Sequence, residues 1–84
     1  MTLDEYNNSI RSREDLIAFI NALRKDFREN PVSWENGTLE RFLEAVGAWV
    51  NDMDGYYTNQ GKSVPQQPDW KFVGDMLMAA KVYE

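Results

Sequence analysis

From Leu39 to Tyr57 the chain repeats one pattern. Leu39, Phe42, Leu43, Val46, Val50, Met53 and Tyr57 share one helical face for about five turns. A stripe of this length commits much of an 84-residue chain to helix, because a half-buried strand would alternate with period two. Leu16, Phe19, Ile20, Leu23 and Phe27 form a second stripe, and Val73, Met76, Leu77 and Ala80 a shorter third. No segment alternates with period two over a useful length. The expected fold is therefore all-α: a small single-domain bundle spanning 1–84, with three main helices at about 12–29, 38–58 and 69–83 and a short N-terminal helix at about 3–10.

Local signals bound these helices. "TLDE" (Thr2 to Glu5) is a capping-box pattern, and Ser12, Thr38 and Asp69 are N-cap residues for the longer helices. Arg24, Lys25 and Arg28 place cations at the negative end of the second helix, and Asn30–Pro31 closes it. "TNQGKSVPQQP" reads as a polar loop before the last helix, with Trp70 near that helix's start.

Composition narrows the chemistry. Neither cysteine nor histidine is present. That removes disulfides, thiolate and imidazole metal ligands, and the usual general base. The net charge of −5 is uneven. From Arg11 to Arg28 five bases meet three acids, whereas from Glu29 to Gly61 six acids face Arg41 alone. No basic stripe suits a phosphate backbone, so nucleic acid is not an expected partner. The longest apolar runs are too short to span a bilayer, and the N-terminus lacks a signal-peptide pattern, so a cytoplasmic location without membrane association is expected.

The stretch "NDMDGYYTNQG" (Asn51 to Gly61) imitates a calcium loop. With Gly55 at the sixth position, Asp52 and Asp54 occupy the third and fifth, but Val50 and Gly61 fall where the anchoring first and twelfth ligands belong. The helical reading explains more: Met53 and Tyr57 turn inward and the acids outward. Glu40 and Glu44, four apart, read as a solvated acidic face rather than a catalytic pair. Trp49 and Tyr56 lie beside the long stripe, and Trp34 precedes its helix. Lys81 reads as a cation satisfying the C-terminal end of the last helix. No catalytic residue, metal site or cofactor is implied.

The chain also resembles a family of small, acidic bacterial proteins catalogued only as a domain of unknown function. The resemblance rests on "SREDLIAF" (Ser12 to Phe19), "NPVSWENGTLERFLEAVGAWV" (Asn30 to Val50), "MDGYY" (Met53 to Tyr57), "QPDW" (Gln67 to Trp70) and "AAKVYE" (Ala79 to Glu84). It covers nearly everything from Ser12 onward, and residues 2–11 match least. It implies a stand-alone bacterial protein and brings no activity to transfer. It directs attention to Trp34, Glu35, Asn36, Tyr56, Tyr57 and Trp70 as a binding surface.

Together these readings favour a non-enzymatic helical module for protein interaction. It would present an acidic, aromatic-edged face (Glu40, Glu44, Asp52 and Asp54) to a protein partner, a basic one fitting best. One alternative is an immunity-type protein that neutralises a basic toxin by charge steering. Another is a binder of small molecules or metal that uses carboxylates. Edge aromatics can also be hidden by dimerisation, so a homodimer stays open.

Overall fold

Four side chains start four helices. Thr2, Ser12, Thr38 and Asp69 each accept a hydrogen bond from the backbone N–H three residues on, at Glu5, Asp15, Arg41 and Phe72. Each such cap contributes about 0.5–2 kcal/mol by satisfying an otherwise orphaned donor. At the first, Glu5 reaches back to the Thr2 N–H and completes the capping box. The computed structural model describes residues 1–84. Its helices are α1 (Leu3–Asn8), α2 (Arg13–Glu29), α3 (Leu39–Asn59) and α4 (Trp70–Ala80), with a 3-10 turn at Pro31–Ser33. There are no strands.

Helix α3 runs straight through Gly55, against which no neighbour lies. It ends in a Schellman turn: Gly61 adopts φ +68°, the Lys62 N–H donates to the Tyr57 carbonyl and the Gly61 N–H to that of Thr58. Helix α4 stops at Ala80, short of the expected 83. There Asn36 takes over its carbonyls: Asn36 Nδ2 donates to Ala80 O at 3.0 Å and Tyr83 O at 2.8 Å, and its backbone N–H to Lys81 O. The 30s loop thus supplies a C-terminal cap across the fold.

Helix α4 is the hub. It packs on α1, α2 and α3, and α1 also packs on α2, but no Cα of α2 lies within 8 Å of a Cα of α3. The aliphatic core sits on the α1–α2–α4 side, where Ile10, Leu16, Phe19 and Leu23 are buried against Val73, Leu77 and Met78. Phe19 is wholly enclosed, which stabilises the fold by about 1.5–3 kcal/mol. Helix α3 joins through aromatics. Trp49 is buried and stacks edge-on with Tyr56 and Tyr57, and at a tilt with Phe72 of α4.

Only part of the expected face of α3 is enclosed: Tyr57 is buried, and Phe42, Val46 and Met53 are half-buried. Ala45, Trp49 and Tyr57 are buried, while Leu39, Leu43 and Val50 are 74%, 58% and 40% exposed. The apolar arc of α3 is too wide for one neighbour. With only α4 to meet, the helix turns Trp49 and Tyr57 inward and leaves Leu39, Leu43 and Val50 outside. Phe27 of α2 is likewise left at the surface. In α4 the inward positions include Gly74 and Asp75, which periodicity alone did not mark.

Candidate functional site

Because α2 and α3 do not meet, a groove of about 440 Å³ opens between them. Ile20, Leu23 and Phe27 of α2 form one wall, and Leu39 and Phe42 of α3 the other. Leu77 of α4 contributes to its lining, and Trp34 closes one end by stacking on Phe27 and Phe42 at 5.3 and 6.0 Å. Arg24 is the one charged residue in the lining. Beyond the groove the exposed α3 stripe continues through Leu43 to Val50.

Beyond that stacking, Trp34 is held by two charged partners. Its indole N–H donates to Asp26 Oδ2 at 2.8 Å, and the Lys81 ammonium lies 5.6 Å from the ring centroid. Lys81 Nζ also donates to Asp26 Oδ2, at 2.9 Å. The Lys81 ammonium, helped by Trp34, holds the Asp26 carboxyl below the usual carboxylate range despite the opposing pull of partial burial. Lys81 therefore does more than complement a helix end. It clamps α4 to α2 and fixes the plug of the groove.

On the opposite side, α1 and α4 enclose a polar cluster. Asp75 is buried and accepts from Tyr57 Oη at 2.7 Å, from Asn7 Nδ2 at 3.1 Å and from Lys71 Nζ. Burial, then the bond to Asp75, push the Tyr57 hydroxyl well above its ordinary pKa. Gly74 is required here: a Cβ would lie 2.4 Å from Ile10 Cδ1 and 2.5 Å from Asn7 Oδ1. Asn7 Oδ1 is buried without a hydrogen-bond partner.

The residues singled out from the sequence lie along α4 rather than on one patch. Trp34 and Asn36 hold its C-terminal end, Tyr57 bonds its middle, and Trp70, 46% exposed, marks its start. Glu35 is exposed, and Tyr56 is half-buried against Trp49. Glu40, Glu44, Asp52 and Asp54 are all at the surface. Asp52 accepts from the Tyr83 hydroxyl and from Asn51, which together lower its pKa. Nowhere do three or more Asp and Glu side chains converge as metal ligands would. No helix is long and apolar enough to cross a membrane.

Reading the stripes alone missed the groove, Asp26, Asn7 and Asp75. The one legible hint was Asp75 itself, an acid set between Gly74 and Met76 in a helix whose only other charged residue is Lys71.

Residues 12–84 match the model of a family of unknown function, DUF7660. The chain belongs to this family. The matched span includes both walls of the groove, its Trp34 plug and the Asn36 cap, while α1, with Asn7, and the following Ile10 lie before it. Membership assigns no activity. No curated protein matches the chain, and no solved structure does.

Proposed function

We propose that this protein is a non-enzymatic helical interaction module that docks a protein partner in the groove between α2 and α3. The observation that carries the reading is the exposed Leu39–Leu43–Val50 stripe beside that groove. Together they make an elongated apolar surface of the kind an amphipathic helix fills. The groove's volume alone would also suit a small apolar ligand. The stripe, however, runs on past Phe42 to Val50, more than two turns further along α3, which favours a partner as long as a helix. Two facts support the non-enzymatic part: the sequence has no histidine or cysteine, and its one buried carboxylate, Asp75, is engaged by three donors.

A photo-crosslinking side chain placed at Leu43 in the whole protein tests the docking site, with Thr58 as an exposed control position. The expected result is a discrete protein adduct from position 43 and none from 58. If position 43 gives no adduct above the control, the groove is not a protein-docking site.

A further inference from the structure

The groove has oppositely charged rims. On α2, Arg24 lines the groove, Arg28 follows one turn later, and Ile17, seven residues before Arg24, shares their side of the helix. All three are exposed. On α3, Glu40 and Glu44 each follow a residue of the aliphatic stripe, and Asp54 lies one turn beyond Val50. Gly47, between Leu43 and Val50, is exposed with nothing within 4 Å of its Cβ position, so another helix can approach closely there. The protein's three ion pairs use none of Arg24, Arg28, Glu40, Glu44 or Asp54. One rim is thus positive, the other negative, and neither is neutralised from within.

The exposed area agrees with a missing neighbour. A monomeric globular chain of 9.8 kDa exposes about 5,200 Å². This chain exposes 5756 Å², an excess on the order of 600 Å². A standard interface buries about 800 Å² per partner, so the excess approaches the contribution of one side.

We propose that the docked partner is a second copy of this chain, an inference that rests on the docking reading above. A two-fold axis running along the helices lays α2 of each copy over α3 of the other. Arg24 and Arg28 then face Glu40 and Glu44 of the second copy, each pair one turn apart along its helix, and the aliphatic stripe of each covers the groove of the other. The pairing is self-complementary because the two rims differ in sign, which is what an isologous dimer requires. A partner with only one sign of charge would meet repulsion along one rim.

Sedimentation velocity with three versions of the protein tests this. At about 100 μM, where a micromolar Kd is saturated, the wild type should sediment at twice the chain mass. Reversing the α2 rim (Arg24→Glu, Arg28→Glu), or the α3 rim (Glu40→Lys, Glu44→Lys), should weaken self-association roughly tenfold or more. All four positions are exposed, and far-UV circular dichroism checks that both variants stay folded. Mixing the two variants should restore a dimer, now a heterodimer, because both contacts are again complementary. A wild type that stays monomeric overturns the proposal, and so does a dimer indifferent to both reversals. The crosslinker at Leu43 separates this failure from that of the docking reading. An adduct of twice the chain mass supports the second copy. An adduct with a different protein, beside a monomeric wild type, removes the second copy and leaves the docking site standing.

Discussion

The two flanks of α4 handle exposure in opposite ways. Toward α1 the interface is closed: Ile10 is buried, Gly74 lets the Asn7 and Ile10 side chains lie directly against α4, and Asp75 collects three donors inside. Toward the gap between α2 and α3 the same bundle leaves leucines, a valine and a phenylalanine in water. The closed flank spends polar residues on interior bonds, whereas the open flank spends apolar residues on its surface. Stability should therefore depend steeply on the first and weakly on the second, and substitutions can break or sharpen that contrast.

The largest effect is expected at Asp75. Asp75→Ala strands the Tyr57 hydroxyl and Asn7, and should cost about 3 kcal/mol in urea unfolding at pH 7. A loss below about 0.5 kcal/mol would mean the cluster does not hold the closed flank.

Gly74→Ala should come next. Its methyl would press on two buried side chains, costing about 1–3 kcal/mol, offset by up to ~1 kcal/mol of helix propensity. Gly55→Ala is the matched control, because nothing surrounds that position, and it should stabilise by up to about 1 kcal/mol. If both substitutions moved the melting temperature the same way, the close approach at Gly74 would be refuted.

Two pH profiles probe the ties between helices. The unfolded chain releases the Tyr57 proton near pH ~10, whereas the folded protein retains it to higher pH. The stability this group contributes is complete below pH ~10 and drains above it, at about 1.4 kcal/mol per pH unit. Tyr57→Phe should show a correspondingly shallower alkaline loss. Asp26 has the opposite sign. Its lowered pKa contributes stability above the unfolded value of about 3.9, and that contribution is lost as the pH falls through the folded value. Asp26→Asn should cost about 1–2 kcal/mol at pH 7, and the gap from wild type should close below pH ~4.

The smallest effect belongs to the open flank. Leu43→Asp should change the unfolding free energy by less than about 0.5 kcal/mol at concentrations too low for association. A large loss there would show that the stripe is packed after all.

What the sequence made legible follows the range of each interaction. The caps at Thr2, Ser12, Thr38 and Asp69 act over three residues, and all four start helices as expected. The end of α2 at Asn30–Pro31 is equally local. Periodicity shows which residues share a face, but not which of two adjacent apolar faces finds a neighbour. So periodicity places Leu39, Leu43 and Val50 inside and Trp49 at an edge, whereas in the fold Trp49 is buried and those three are exposed. The groove is a property of helices that do not touch, and nothing in either helix alone signals it. Asn36 reads from the sequence as a binding residue, yet its side chain caps α4 from 44 residues away, a contact no local pattern can announce.

The bond from Asn7 to Asp75 joins residues 68 positions apart. On a ribosome making about 5–20 residues per second, α1 would emerge seconds before the helix that encloses it. Until then Ile10 has only α2 for shelter, and the polar cluster has no centre. Closing so long a loop is slow relative to forming the helices themselves. The closed flank should accordingly be the last part of the protein to become native and the first to be lost when α4 detaches.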